Sequence, residues 1–390
     1  MIYRAHTTCR ACSHPTLTPV LDLAEQPLAN AFVRDGTPAP HAPLSVLLCE
    51  RCSLAQLSVV VDPSVLYHAS YAYTQQSRTA SFKAHVATLL SAIRAELPRA
   101  TSALEVGSND GSFLAELRRS GFTRRMGIDP SATGLEPALR ERFDTESATA
   151  LRNACGPFDL VVGRHVFAHL NDWPGFITAL SAITAPDGLA VLEVPDASAL
   201  LAGNHWPTIY HEHLSYVSAD SLRALLRGRD WHLATTLHSP IHGGSSVFML
   251  RRGEDASPAP RLNALPEWRS LATRTHTAIT HLRDLIRNLR SGGATIAAYG
   301  APAKATVIAA ACGFTQSDLV FCTDTTPSKA GCTLPGTDIP VVSPDALLTA
   351  QPDYALLMAY TYAEEIVARE STYRERGGRF ILPVPEPRIL

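Results

Sequence analysis

Leu104-Glu-Val-Gly-Ser-Asn-Asp-Gly-Ser-Phe-Leu114 constrains this chain more than any other stretch. An apolar run stops at a glycine-bearing turn, and a helical pattern resumes through Ala115-Glu-Leu-Arg-Arg119, so the stretch reads as strand, turn and helix. About twenty residues on, the short run Met126-Gly-Ile ends at Asp129. Strand, glycine turn, helix and a second strand ending in a carboxylate form the first half of a nucleotide-binding α/β unit. Gly107 and Gly111 let the backbone approach a ligand without a Cβ in the way. Asp129 stands where such folds hold ribose hydroxyls. The turn is not GxGxxG, and no Gly-Lys-Ser/Thr follows it. Glu105, Asn109 and Asp110 make it acidic, a poor cradle for pyrophosphate but suited to an ammonium or sulfonium charge beside a ribose. S-adenosylmethionine is therefore expected over NAD. The competing reading is an ordinary junction whose acids are solvated.

With 390 residues the chain exceeds what one core usually serves, and two or three domains are expected. A net charge of -2, with no basic stripe, argues against nucleic acid and anionic membrane as partners. The opening residues carry no signal-peptide pattern, and no apolar run reaches the roughly 18 residues of a membrane span, so a cytoplasmic protein is expected. Half of the eight cysteines fall in two CxxC knuckles, Cys9/Cys12 and Cys49/Cys52. Four sulfurs so paired suit tetrahedral Zn2+ in a closed, structural site; an iron–sulfur or redox role is the alternative. The Pro-rich insert between the knuckles, with strand-like Val20–Leu23 and Leu44–Leu48, reads as a small β module stapled by the metal. Cys155, Cys312, Cys322 and Cys332 are scattered and read as small, partly buried thiols.

A polar-aromatic segment with Tyr67, Tyr71 and Tyr73 follows, and one of these tyrosines either lines the site or packs between domains. Ligands in open α/β sheets bind outside the carboxyl ends of strands. The residues at or beyond the ends of strands 158–162 and 189–194 are therefore candidates: Arg164, His165, His169 and Glu193. A third cluster is Tyr210-His211-Glu212-His213. HxH can chelate a metal, but HExxH is absent, and acid–base work by histidine beside a carboxylate fits better. If extended, the cluster puts Tyr210 and Glu212 on one face; if helical, it joins Tyr210 to His213. After a linker near 253–260, Ala294–Val307 is a second strand-turn-helix, and Lys304 at its helix start could meet a phosphate or serve structure alone.

Taken in order, the chain resembles the zinc-containing deoxysugar C-methyltransferases of antibiotic and surface-polysaccharide sugar pathways. The resemblance rests on CxxC…CxxC, Pro27–Asn30, the tyrosine segment, Glu105–Gly111, Val166-Phe-Ala-His169, Tyr210–His213, Tyr299–Lys304 and Leu334-Pro-Gly336 with Ile339-Pro-Val. It implies an α/β protein in three parts: a zinc-binding domain over 1–75, a class I S-adenosylmethionine methyltransferase domain over 76–255, and a second Rossmann-like domain over 256–390. It implies a nucleotide-linked keto sugar, usually dTDP-linked, as substrate, and a monomer is the expectation for the working unit. Glu105, Gly107, Asn109, Asp110, Gly111, Asp129 and Arg164 would hold the cofactor. His213 would remove the proton α to the sugar ketone, supported by Glu212 and Tyr210. His169 and Tyr71 or Tyr73 would hold the sugar or its enolate. Two departures bear on which sugar is accepted: Thr74-Gln75-Gln76 replaces a common serine pair, and His165 stands where Asn is usual.

Overall fold

The structure is a computed structural model that describes residues 2–34, 36–67, 80–133, 136–254 and 264–390. Tyr71, Tyr73 and the expected boundaries at 75 and 255 lie outside the described residues.

The two knuckles fold alike. In each, the first cysteine's carbonyl accepts from the serine four residues on, Ser13 to Cys9 and Ser53 to Cys49, and both serines have φ +57°. Behind them Thr18–Pro27, His41–Leu48 and Ala55–Leu57 make an antiparallel sheet. Its fourth strand comes from far along the chain: Ser215–Tyr216 pairs with Gln56 and Ala55. The other face packs on the helices Leu265–Ser291 and Ala303–Cys312, so Leu21, Leu44 and Val46 share one core with Leu282 and Ile308. The N-terminal module thus shares most of its core with these helices and keeps only a small cluster of its own, Leu28, Ala42, Val61 and Leu66.

The central sheet has seven strands, here β1 (Ser102–Val106), β2 (Arg124–Ile128), β3 (Ala138–Leu139), β4 (Phe158–Arg164), β5 (Thr184–Pro195), β6 (His232–Ser239) and β7 (Ser245–Arg251). Their order is β3-β2-β1-β4-β5-β7-β6, with β7 antiparallel to both neighbours. The reversal of strand order between β1 and β4 opens a crevice at their carboxyl ends, the usual ligand site of such sheets. Every residue of β1 is buried, as expected where helices cover both faces of a parallel sheet. Ala80–Glu96 and Ser112–Arg119 cover one face, with Phe82, Leu89, Phe113 and Leu117 against Leu160 and Val191.

Ile296–Tyr299, Cys322–Thr323, Val341–Val342, Tyr354–Leu357 and Arg379–Leu382 form a second parallel sheet, closed by Arg388–Ile389 running antiparallel. The sheet of the expected second Rossmann-like domain therefore has one reversed edge. Among the described residues no helix is long and apolar enough to cross a membrane.

Candidate active site and metal centre

The cofactor turn is built by left-handed backbone. Gly107, Asn109 and Gly111 have φ of +77°, +45° and +74°, and a Cβ at Gly107 would stand 2.1 Å from Cγ2 of Val166. Asp129 orders the loop: one carboxylate oxygen accepts from the Asn109 N–H at 2.9 Å, the other from the Ser131 N–H and hydroxyl at 2.7 Å. The oxygen that accepts from Asn109 keeps a second lone pair for a ribose hydroxyl. Asp110 accepts from the Ser112 N–H at 3.0 Å and starts the helix. Beneath the turn Glu105 is fully buried, and neither of its oxygens has a hydrogen-bond partner among the described residues. Burial pushes its carboxyl up to about 8, although Arg164 pulls the other way. The buried Arg164 binds Glu193 through Nε at 2.8 Å and lies over the Phe113 ring, while both terminal nitrogens lack hydrogen-bond partners. Arg164, Phe82, Phe113 and Glu116 line a pocket of about 250 Å³. The unpartnered Glu105 carboxyl and the two open terminal nitrogens of Arg164 beside this turn fit a ligand carrying both ammonium and carboxylate, the amino-acid end of S-adenosylmethionine.

A second group of side chains gathers around His213. The chain turns tightly there: the His213 N–H donates to the Tyr210 carbonyl at 2.9 Å, which brings residues 210 and 213 to the same side. The Tyr210 hydroxyl meets Nε2 of His213 at 2.8 Å, and Nδ1 meets the Thr208 carbonyl at 2.8 Å. A carbonyl only accepts, so Nδ1 carries the hydrogen and Nε2 accepts from the phenol. The sequence placed a carboxylate behind this imidazole, but a backbone carbonyl takes that place. The turn sends Glu212 the other way, where its Oε1 accepts from Asn30 Nδ2 at 2.8 Å. The basicity also differs from that expected: burial, with His169, His165 and Lys304 nearby, holds His213 well below the usual imidazole range. His169 packs edge-on against it at 5.2 Å, and its Nδ1 lies 3.1 Å from the Tyr67 hydroxyl. Of the three segment tyrosines, Tyr67 is the one described.

Glu193 gathers a third group. It is fully buried, 2.8 Å from Arg164 Nε, 2.6 Å from His85 Nε2 and 3.5 Å from His165 Nε2. Sequence reading missed His242 and Tyr362. The His242 ring stands on His165 at 4.7 Å, and its Nδ1 lies 3.3 Å from the Tyr362 hydroxyl of the C-terminal domain. The available signal was the pair Gly243-Gly244 just before β7, which marks a backbone forced into left-handed geometry. Lys304 also comes from the C-terminal domain; its Nζ lies 3.3 Å from Thr361 Oγ1, and burial lowers it to about 8.

The four knuckle sulfurs lie within 4.8 Å of one another, with Cys9–Cys52 at 3.4 Å and Cys12–Cys49 at 3.6 Å. Tetrahedral zinc with bonds of about 2.3 Å needs sulfurs about 3.8 Å apart, so the set fits a structural Zn2+. Arg10, between the first two ligands, donates to the Leu57 carbonyl at 3.1 Å and to Asn171 Oδ1 at 3.2 Å, tying the metal end to the loop after His169.

Family comparisons agree with this division. Residues 9–67 match a zinc binding domain, 77–236 a methyltransferase domain, and 240–385 a C-methyltransferase C-terminal domain. The C-methyltransferase NovU of Streptomyces niveus is 36% identical over all of this chain and 98% of its own. The chain belongs to the zinc-containing sugar C-methyltransferase family. Like other members it is an S-adenosylmethionine-dependent methyltransferase with a structural zinc site.

Solved structures similar to this family member include the 1,6-didemethyltoxoflavin N1-methyltransferase of Burkholderia thailandensis, with S-adenosylhomocysteine bound. It is 16% identical over 44% of this chain and 79% of its own, at a TM-score of 0.34. The N-methyltransferase NodS of Bradyrhizobium japonicum is 14% identical over 46% and 99%, also at 0.34.

Proposed function

We propose that this protein methylates the carbon α to the ketone of a nucleotide-linked keto-deoxysugar, of the dTDP-linked kind, in the cytoplasm, with His213 as the base. The observation that carries this reading is His213, whose Nδ1 is tied to the Thr208 carbonyl and whose Nε2 accepts from the Tyr210 phenol. A carbon beside a ketone becomes nucleophilic only when its proton leaves, whereas an oxygen or nitrogen acceptor needs far less help. The full-length relative is a C-methyltransferase by name, which supports carbon as the acceptor atom.

When bound, S-adenosylmethionine supplies a methyl group made electrophilic by the sulfonium. Glu105 and Arg164 would hold its amino-acid end and Asp129 its ribose, beside the turn at Gly107, Asn109, Asp110 and Gly111. Nε2 of His213 takes the α proton once the Tyr210 hydroxyl turns off it. The freed phenol is then a donor for a sugar oxygen. Thr208 keeps the hydrogen on Nδ1, so the lone pair stays on the side that works. Asn30 and Glu212 clamp the turn from behind, and His169 with Tyr67 borders the base.

The test is incubation with methyl-labelled S-adenosylmethionine and a panel of dTDP-linked 4-keto-deoxysugars in deuterium oxide. Label on a sugar carbon, with solvent deuterium entering the α position in a manner lost in His213→Asn, is the expected result. Label on oxygen or nitrogen, or exchange that survives in His213→Asn, overturns the reading.

A further inference from the structure

The second sheet has a crevice of its own. Its strand order reverses between Ile296–Tyr299 and Tyr354–Leu357, which marks a ligand site at their carboxyl ends. One half of this crevice is built like the cofactor turn. Gly300 is left-handed at φ +84°, and Asp324, at the end of the neighbouring strand, accepts from the Ala301 N–H at 2.7 Å and the Thr326 N–H at 2.8 Å. Asn109 and Ser131 make the corresponding bonds to Asp129. Here, however, the carboxylate is already matched. Lys329 Nζ donates to the Ala301 carbonyl at 2.8 Å, lies 3.8 Å from Asp324 Oδ2 and stands over the ring of Phe32 from the zinc-bearing module. The half that would take a nucleoside is closed.

The other half is open and cationic. Helix Ala303–Cys312 follows Pro302 with no side-chain cap and no acid in its first turn, so its first amides are free at the positive end of the helix. Lys304 sits in that turn, where a cation is unfavourable unless an anion is near. Its hydrogen bond among the described residues goes to Thr361 Oγ1 at 3.3 Å, and no carboxylate offsets its burial. From the methyltransferase domain, His205 stacks on the Tyr360 ring at 5.7 Å, and Lys304 Nζ lies 5.4 Å from the centre of the same ring. Burial and the Lys304 charge lower His205 to about 4, so at neutral pH it offers one N–H and no charge. Nδ1 of His205 and the Tyr360 hydroxyl are buried without hydrogen-bond partners among the described residues. The Lys304 charge also reaches His213, which puts this group beside the acceptor site.

We infer that the open half is a seat for the diphosphate of the sugar nucleotide. Lys304 Nζ, the free amides of its helix, the Thr361 hydroxyl and His205 take the phosphate oxygens, and the nucleoside lies outside the closed half beside Asp324. This rests on the nucleotide-linked acceptor proposed above. A diphosphate supplies what the chain leaves unmatched, since a buried cation without an anion lowers stability. The C-terminal domain then holds the phosphate end of the acceptor while the His213 loop holds the reacting end.

The test is calorimetric titration of the full chain with inorganic pyrophosphate, dTDP and thymidine. Pyrophosphate and dTDP should bind, and thymidine about tenfold or more weakly than dTDP. Lys304→Met keeps the apolar stem and deletes the charge. It should weaken both anions about tenfold or more, the size of one charged hydrogen bond, with S-adenosylmethionine affinity within about threefold of wild type. The same variant should melt higher than wild type when free of ligand, a gain that a purely structural lysine would not give. His205→Ala should weaken pyrophosphate about fivefold from the other wall of the cleft. Lys329→Ala should leave pyrophosphate and dTDP within about threefold. No anion binding by the wild type overturns the seat. So does pyrophosphate affinity within about threefold of wild type in Lys304→Met, or unchanged in His205→Ala should the methionine variant not fold. Weakening of dTDP but not pyrophosphate by Lys329→Ala overturns the closed half. Methyl label on oxygen or nitrogen, in an enzyme whose dTDP binding needs Lys304, overturns C-methylation and leaves the seat standing.

Discussion

The Tyr210 hydroxyl and Nε2 of His213 stand 2.8 Å apart, with the Thr208 carbonyl fixing the opposite nitrogen of the same ring. This bond covers the lone pair that must take the proton, so phenol and imidazole work as a pair. His213→Asn should lower kcat about 10²–10⁴-fold with KM little changed, the range typical of a lost general base. Tyr210→Phe uncovers Nε2 but removes a donor to the sugar, so its smaller loss should fall mainly in KM. Steady-state kinetics of the two variants separate these roles; equal losses in kcat alone would contradict the pairing.

Glu105 links cofactor affinity to pH. Its folded carboxyl is raised from the ordinary 4.5 to about 8, so the empty site holds a proton through neutrality. An ammonium ligand favours the charged carboxylate and must expel that proton. Affinity for S-adenosylmethionine should therefore rise as pH increases towards 8 and level off above it. Calorimetric titrations from pH 6 to 9 in buffers of different ionisation enthalpy would show the released proton. Glu105→Gln should flatten the profile.

The histidines set stability at acid pH. His169, His205 and His211 are lowered to about 4 by burial, and His213 and His242 lie well below their ordinary range. Between about pH 4 and 6.5 the unfolded chain binds more protons than the folded one, so stability rises with pH across this window. Denaturant midpoints should fall steeply from pH 6.5 to 4.5. Replacing the buried His211 by Gln should soften the slope.

Much of this architecture was legible because each signal was local. The β1 turn, the two CxxC knuckles and the β5 and β7 strands rest on spacing within a few residues, and the structure has all of them. What escaped reading depends on contacts distant in sequence. Nothing near Tyr216 announces a partner at Ala55, and nothing near Leu21 announces the helix at Leu282. The site divides the same way. Tyr210 and His213 were visible as a cluster, but their pairing needed the turn at 210–214. The carboxylate expected behind His213, Glu212, turns to Asn30 instead, while Glu193 meets Arg164 and His85 because β4 and β5 lie side by side with Arg164 opposite Glu193. His242 and Tyr362 join only across two domains.

Gly107 tests the turn itself. Its φ of +77° disfavours any side chain, and a Cβ would press on Val166 at 2.1 Å. Gly107→Ala should cost about 1–3 kcal/mol of stability and weaken S-adenosylmethionine at least tenfold, because the loop must move. Thermal melts with and without cofactor would show the first loss and a missing ligand-induced shift.

The metal site should govern the acceptor side of the reaction before the cofactor side. The zinc-bearing module reaches the His213 loop directly: Ser215 and Tyr216 are a strand of its sheet, and the Leu57 N–H donates to the Leu214 carbonyl at 3.0 Å. Arg10 adds a tie to Asn171, two residues beyond His169. The cofactor turn hangs instead on β1 and β2 of the other sheet. The knuckles also share a core with Leu104 and Ile128, but the hydrogen-bonded ties run to the acceptor loop, so loosening the knuckles should disorder Tyr210 and His213 before Gly107 and Asp129. Elemental analysis should give one zinc per chain for the wild type and a deficit for Cys49→Ser. That variant should lose methyl transfer at least tenfold yet keep S-adenosylmethionine affinity within about threefold. A parallel fall of cofactor affinity with zinc content would mean that the metal holds the whole fold together and not the acceptor loop in particular.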